Sequence, residues 1–359
     1  MTTLNLGKDL YLKGRIGWRG LSKEEYLKHS DYKIINATSL MDGYIDWSTC
    51  GYISKDRYDE SEEIMLKEND ILISKDGTLG KIGFVKSLNG FCTVSSGIFV
   101  LRNTKPDIVD FNYLFHILKS NIFKDFIHRN KAQGSTIPHL YQRDLESFEI
   151  ELPDITEQKF VANILDSLDN QIKRNNDMVQ KLQVLGKVIY CKNLDFSNKE
   201  KLASKAIITT GKEDANHASM NGKYKFFTCS DDVLSCDDFK FEGKSVLVAG
   251  NGNFNVKYYE GKFNAYQRTY VIKNDSIIGN LYYTLIFNTE VFRKKSNGSI
   301  IKFITIEMLN NIDIPQFSKE TNHLLNKILF KINIVDADTY RLKQLKNKLL
   351  PLLINGQLQ

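Results

Sequence analysis

The sequence predicts an α+β protein with a pseudo-twofold internal repeat: two globular units separated by two long antiparallel coiled-coil helices. Three observations predict it. Two long segments carry the same apolar spacing at a constant separation, a strand ending in proline precedes each, and short β-type runs broken by turns fill the regions upstream.

The first helical segment runs from Thr156 to Tyr190. It sets Leu165, Leu168, Ile172, Asn175, Val179 and Leu182 on one seam, with Leu185 and Ile189 beyond. The second, Lys319 to Leu353, sets Leu325, Ile328, Ile332, Val335, Thr339 and Leu342 there, with Leu345 and Leu349 beyond. Steps of three and four residues place side chains on one helix face, which by itself says amphipathic helix or coiled coil. Each seam residue of the second segment lies 160 residues after its counterpart in the first, and a constant offset marks a repeat. The seams should pair the two helices, leaving Lys173, Arg174, Lys181, Arg341, Lys343 and Lys346 facing solvent or a partner. Asn175, the counterpart of Val335, is a polar seam residue of the kind that sets register. Gly186 should weaken the first helix by about 1 kcal/mol against alanine.

Ile150-Glu151-Leu152-Pro153 leads into the first helix and Ile312-Asp313-Ile314-Pro315 into the second, each a closing strand stopped by proline. Further upstream, GSTIPHLYQRDLESFEI from Gly134 parallels GSIIKFITIEMLNNIDI from Gly298. Asp70–Ser74 pairs with Ser245–Ala249, two apolar strands each followed by a glycine-containing loop, and Tyr32-Lys33 is echoed by Tyr224-Lys225. The offset falls from 192 at the tyrosines to 162 at the prolines, so the second globular unit is the shorter. The expected organisation is a globular unit at 1–155, a helix at 156–192, a globular unit at 193–317 and a helix at 318–359. Runs such as GIFVLRN and RTYVIKN, with one helix-like stretch (FNYLFHILKS), suggest mainly antiparallel strands within each unit.

Composition narrows the function. Hydrophobic residues make up 42% and charged residues 26%, ordinary for a globular chain. No run of about 18 apolar residues and no secretory-type N-terminus occurs, so a cytoplasmic protein with no membrane partner is expected. The five cysteines are widely and irregularly spaced, which suggests neither a zinc site nor a redox pair. A net charge of +6 suits a polyanionic partner. Catalytic motifs are missing. The five prolines are never adjacent, which removes the Asn/Asp-Pro-Pro-aromatic run of an adenine methyltransferase. Gly77-Thr78-Leu79-Gly80-Lys81 has the wrong spacing for a phosphate-binding loop, and no H-E-x-x-H occurs. Asp154 and Glu157 carry the letters of a nuclease PD…ExK site, but their spacing at a helix start is that of a capping box. No catalytic residue and no metal ligand is assigned.

Two loops at corresponding places have the chemistry to read DNA. In Ser74–Lys81, glycines allow close backbone approach while Lys75, Thr78 and Lys81 can meet phosphates or base edges. In Gly250–Lys257, Asn251, Asn253 and Asn255 suit hydrogen bonding to bases, with Lys257 at the end of the loop. Shortly after comes Asn264–Thr269, where Tyr266, Gln267 and Arg268 interleave aromatic, amide and guanidinium groups; Thr93–Ser96 is the milder counterpart. Arg15, Trp18 and Arg19 stand among glycines near the N-terminus, and the Gln133–Thr136 turn, with Ser135 and Thr136, matches Asn297–Ser299. Asparagine and glycine also simply make turns, and Trp18 could cap a core instead.

Leu152–Lys159 (LPDITEQK) opening a leucine-patterned helix, VLVAGNGNFNVKYYEGKFNAYQRT from Val246, and ILISKDGTLGKIGFV from Ile71 together resemble the specificity subunits of type I restriction-modification systems, over essentially the whole chain. The resemblance implies two target recognition domains, each reading one half of a split site on double-stranded DNA, with the paired helices setting the gap. It implies partners: two DNA adenine methyltransferase subunits docked on the helices, and a restriction and translocation subunit where one exists. S-adenosylmethionine, ATP and Mg would then belong to those partners, and this chain would be non-catalytic. About 35 helical residues at about 1.5 Å each make a rod of roughly 50 Å, enough to span half-sites more than one turn apart. Unlike loops imply an asymmetric site. Two other classes stay open on the residues alone: a divergent DNA nuclease or modification enzyme with a dispersed active site, and a duplicated scaffold with no DNA role.

Overall fold

The computed structural model describes residues 2–16, 19–41, 43–130, 139–195, 197–220, 222–295 and 302–354. Its chain divides into two compact units, residues 1–170 with 344–359 and residues 171–343. The two long helices are Ile155–Lys192 and Lys319–Ile354, and the division between the units falls within each of them.

In unit 1, β1 (Thr2–Asn5) pairs antiparallel with β9 (Glu149–Leu152), the closing strand before the first long helix. A four-stranded antiparallel sheet runs in the order β2 (Tyr11–Gly14), β8 (Ile98–Arg102), β5 (Ile71–Ser74), β6 (Ile82–Phe84). A second sheet sets β3 (Tyr32–Ile35) between β4 (Gly51–Ile53), antiparallel, and β7 (Phe91–Val94), parallel. The alternating apolar residues of β5 and β8 bury both faces, one against the helices Phe111–Lys119 and Asn121–Asn130 and one against the second sheet. Val161, Ala162 and Leu165 join the first of these cores, as do Leu353 and its neighbours at the far end of the second long helix.

Asp154 caps the first long helix, accepting from the backbone N–H of Thr156 at 2.9 Å and Glu157 at 3.0 Å; this is the capping role its spacing predicts. Gln158 is fully buried and donates to the carbonyls of Ile108 and Pro153, both at 2.9 Å, while accepting from Asp110 N–H at 2.9 Å. Lys346 does not face solvent as expected. It is largely buried and pairs with Asp169 at 2.5 Å, because this end of the second helix packs inside unit 1.

His116, also buried, places Nε2 2.9 Å from Asp166 Oδ1. Burial pushes the Asp166 carboxyl up, but the His116 hydrogen bond and charge, with Lys86 and Lys346, outweigh it and hold the carboxyl below its ordinary value. Stability from this carboxylate is therefore complete above an ordinary Asp pKa, about 4, and is lost as pH falls through the depressed folded value. Chemical denaturation of wild type and Asp166→Asn across pH 2–6 should show a steeper acid loss in the wild type below about pH 4. Identical acid limbs would contradict this.

Unit 2 rebuilds the same plan with one sheet. Its order is β11 (Ile207–Thr210), β16 (Thr269–Lys273), β14 (Phe241–Ala249), β15 (Val256–Ala265), β12 (Tyr224–Phe227), β13 (Leu234–Cys236). The short pair β10 (Lys199–Lys201) and β17 (Asp313–Pro315) corresponds to β1 and β9. The parallel pairing of β12 with β15 corresponds to β3 with β7. In unit 1 the turn at 85–90 breaks the equivalent of β15 into β6 and β7; the continuous β15 accounts for part of the drift in repeat offset.

Leu325, Ile328 and Ile332 of the second long helix join Tyr190 in the core of unit 2, with Val179, Leu182 and Ile189 packed against it. Pairing is antiparallel here: Asn175 Nδ2 donates to Asp338 Oδ2 at 2.8 Å, and Thr321 Oγ1 to Asn193 Oδ1 at 3.1 Å. Asn175 also accepts from Gln171 Nε2 at 3.0 Å, so this buried amide is satisfied at both ends, as a register-setting residue must be. Leu168, Ile172 and Leu342 are half-buried and Val335 is buried, whereas Leu185 and Leu345, placed along the seam by their spacing, are exposed. A strict alternation of three and four drifts about 20° per heptad on a straight helix, which turns the neighbouring Gly186 inward in place of Leu185.

A Cβ on Gly186 would stand 1.8 Å from the hydroxyl of Tyr283, which is itself fully buried. Gly186→Ala should therefore lower stability by about 1–2 kcal/mol despite the better helix propensity of alanine, read as a lower denaturant midpoint. A raised midpoint would show that Tyr283 has room to yield.

Candidate nucleic-acid interface

At one end of each unit, loops from three strands meet, held by four matching hydrogen bonds. In unit 1, Ser95 N–H donates to Ile35 O at 2.9 Å, Lys75 N–H to Gly97 O at 2.9 Å, Leu140 N–H to Lys75 O at 2.9 Å, and Lys81 Nζ to Ala37 O at 3.4 Å. In unit 2, Tyr266 N–H donates to Phe227 O at 2.9 Å, Gly250 N–H to Arg268 O at 2.8 Å, Ile304 N–H to Gly250 O at 2.9 Å, and Asn255 Nδ2 to Cys229 O at 3.2 Å. The loop after the first strand of the parallel pair, the glycine loop and the turn into the last central strand are thus fixed alike in both units. Backbone N–H groups make three of the four bonds in each unit, and a side chain, Lys81 in one and Asn255 in the other, makes the fourth.

The glycine loop of unit 1 closes on Ser74, whose hydroxyl donates to Thr78 O at 2.6 Å and accepts from Lys81 N–H at 2.8 Å. Gly77 and Gly80 take positive φ there, +68° and +72°, the left-handed conformation that favours glycine. The loop of unit 2 turns through Gly252 at φ +70° and then Phe254 at φ +54°. A phenylalanine in that conformation is strained, and its ring is held by full burial beside Phe292.

Most sequence-predicted residues come to these two rims. Thr78, Asn253, Gln267 and Arg268 are exposed. Tyr266, half-exposed, opens the turn that Thr269 N–H closes on Tyr266 O at 2.7 Å. Asn251 bridges to Phe303, as Asp76 in unit 1 bridges to His139. Lys75 lies with its ammonium 4.7 Å over the Phe99 ring, and burial holds it below its ordinary pKa. Lys257 is half-buried and donates to the Ser230 carbonyl, so it clamps the neighbouring loop.

Arg15 is a correction. It is 1% exposed, with Nε on Val94 O and Nη1 on Ser61 Oγ, both at 3.3 Å, so its guanidinium is buried within unit 1 and not at the surface that the sequence suggested. Arg19 donates to Glu60 O at 2.7 Å, binding the segment that follows β4. Trp18, Ser135, Thr136 and Ser299 lie outside the described residues.

Sequence reasoning missed the third loop, Asn36–Ser39 in unit 1 and Thr228–Asp232 in unit 2. Neither has a motif, yet the Tyr32/Tyr224 echo marks the strands from which they exit. It also missed Lys124 and His128, which line a groove with Gly77, Gly80 and Ile127. Among the described residues one group, His217, Cys236 and Asp238, has side chains that could hold a metal ion. Its members already form a hydrogen-bonded cluster: His217 lies 2.6 Å from Asp238, Asn264 donates to the same oxygen at 3.1 Å, and burial pushes the Cys236 thiol up. What the two rims offer chemically is backbone approach through glycines, amides, hydroxyls and cations. That set recognises a polyanion with hydrogen-bonding edges.

Known proteins are similar to this chain. A family model described as type I restriction modification DNA specificity domain matches twice, over residues 17–184 and 190–349. The EcoDI type I restriction enzyme specificity subunit of Escherichia coli is 36% identical over 160 residues, 42% of this chain and 36% of that protein. The MjaVIII type I restriction enzyme specificity subunit of Methanocaldococcus jannaschii is 34% identical over 128 residues, 34% of this chain and 27% of that protein. The chain thus spans about a third of the length of these curated relatives. The crystal structure of a type I restriction-modification system S subunit from M. genitalium is similar in fold, with a TM-score of 0.67 and 18% identity over 98% of this chain and 95% of that one. Among the described residues no helix is long and apolar enough to cross a membrane.

Proposed function

We propose that this chain, which belongs to the type I restriction modification DNA specificity family, reads a two-part DNA site, one half with each three-loop rim. The observation that carries the reading is the matched frame of four hydrogen bonds, which sets different side chains on equivalent loops. A duplicated frame with Lys75, Thr78 and Lys81 in one copy and Asn251, Asn253 and Asn255 in the other is what an asymmetric split sequence requires. Specificity subunits of this kind are non-catalytic, so methyl transfer and cleavage fall to partners: DNA adenine methyltransferase subunits, two by the symmetry of the repeat, and a restriction subunit where the system has one. The chain itself then needs no S-adenosylmethionine, ATP or Mg. The helical segments joining the units set the number of base pairs between half-sites, and the protein works in the cytoplasm, where its DNA is.

Arg268, exposed at the tip of its turn, tests the reading. Arg268→Ala should weaken binding to the preferred duplex by about 1–3 kcal/mol and relax preference at one position if the guanidinium meets a base. Competition binding against duplexes substituted one base pair at a time measures this. An equal loss for every sequence makes Arg268 a phosphate contact. Affinity that ignores salt would speak for a scaffold without a DNA role, because phosphate neutralisation makes binding fall steeply with salt. Cleavage or methylation by the isolated chain would contradict the non-catalytic role.

A further inference from the structure

Asp231 faces the nitrogen ends of two asparagines of the unit 2 loop, Asn253 and Asn255. Asn255 Nδ2 donates to Asp231 Oδ1 at 2.9 Å and to Cys229 O at 3.2 Å, which uses both of its N–H groups. Asn253 Nδ2 lies 3.5 Å from the other carboxylate oxygen. A carboxylate only accepts, so the opposite amide orientation would set oxygen against oxygen. Asn255 therefore keeps its nitrogen inward and leaves Oδ1 without a donor among the described residues. Asp231 is exposed at the same rim, so the loop presents acceptors. The counterpart of Asn255 in unit 1 is Lys81, a donor, and the residue at the place of Asp231 is the buried Ser39.

In the major groove, adenine and cytosine offer an exocyclic amine where guanine and thymine offer a keto oxygen. Resting on the reading of unit 2 as a reader of one DNA half-site, we propose that Asp231 locks the Asn255 amide with its oxygen outward. The unit 2 loop then selects a base bearing an exocyclic amine over one bearing a keto oxygen. Asp231 is a positioning residue in this arrangement and Asn255 the reader.

The full-length chain is tested on duplexes in which each position of the unit 2 half-site, identified by its response to Arg268→Ala, is varied in turn. At one position, adenine or cytosine should be favoured over guanine or thymine by about tenfold or more. Replacing that adenine by purine, or that cytosine by 2-pyrimidinone, removes only the amine and should cost a similar factor. Asp231→Asn removes the charged one of the two acceptors that hold the Asn255 amide and leaves the Cys229 carbonyl in place; discrimination should fall by about threefold, with affinity for the best duplex changed much less. The analogue duplexes need no variant, so misfolding of Asp231→Asn leaves the proposal testable. A half-site that tolerates loss of the amine at every position overturns the proposal, as does an Asp231→Asn chain that folds and keeps full discrimination. In either case a surviving response to Arg268→Ala leaves the DNA reading standing. A chain that selects no half-site sequence at all removes both.

Discussion

Gly279→Ala is expected to lower the stability of unit 2 by about 2–3 kcal/mol, although alanine is the better helix former. Gly279 lies one residue into the helix Ile278–Phe287, where that helix meets the second long helix. A Cβ there would stand 2.6 Å from the backbone carbonyl carbon of Leu325 and 2.8 Å from the nitrogen of Asn326. The obstacle is backbone, which cannot rotate aside as a side chain does. The approach is also held: Gly279 N–H donates to Asn326 Oδ1 at 2.8 Å, and Asn326 Nδ2 donates to Asp275 O at 3.2 Å and Ser276 O at 2.9 Å. Relieving the overlap means breaking that bracket or lifting one helix from the core that contains Ile278, Leu281 and Leu325. Urea unfolding followed by hydrogen exchange should show the loss in residues 171–343. A variant as stable as the wild type would show that the helices separate at little cost.

Asp70→Ala should cost unit 1 more, about 3–5 kcal/mol, because it strands a charge. Asp70 is fully buried at the start of β5 and accepts from Arg102 Nε at 2.8 Å and Nη2 at 2.7 Å, and from Lys67 N–H at 2.7 Å. The Asp70 hydrogen bond, set against burial, holds the Arg102 guanidinium above its ordinary pKa. Arg102 also donates to Met65 O at 2.8 Å and lies 5.2 Å from the Tyr11 ring, so it cannot leave without uncovering its neighbours. Removing the carboxylate leaves that guanidinium in low dielectric with one carbonyl. Replacing both partners by apolar residues of similar volume should cost less than the single change, since no charge is then left alone. Denaturation midpoints of Asp70→Ala and of Asp70→Leu with Arg102→Met decide it. Equal losses would mean the cost is packing and not the stranded charge.

The helices were legible in the sequence because packing against a straight rod repeats with the rod, so both copies kept their spacing at an offset of 160. The paired strand ends were legible for a similar reason: a proline, Pro153 just after β9 and Pro315 as the last residue of β17, marks the end of each closing strand. What spacing hid was direction. Leu185 and Leu345 fit the alternation yet face outward, since the seam rotates along the helix and Gly186 turns inward to meet Tyr283. Arg15 read as a surface cation because arginine is seldom buried, and only the tertiary structure supplies Val94 O and Ser61 Oγ as its partners. The glycine loops announced themselves through Gly77, Gly80 and Gly252, where positive φ demands the residue. Asn36–Ser39 and Thr228–Asp232 did not. They reach the rim through strand pairing between β3 and β7 and between β12 and β15, which no local pattern encodes.

Selection from a randomised duplex library is the most direct test of the two-rim reading, using the full-length chain and the variant Gln267→Ala with Arg268→Ala. Wild type should enrich a two-part asymmetric motif, and the variant should keep one half unchanged while the other loses information at one or two positions. A motif that degrades equally in both halves, or an enriched pool with no motif, would contradict the claim that each unit reads its own half-site.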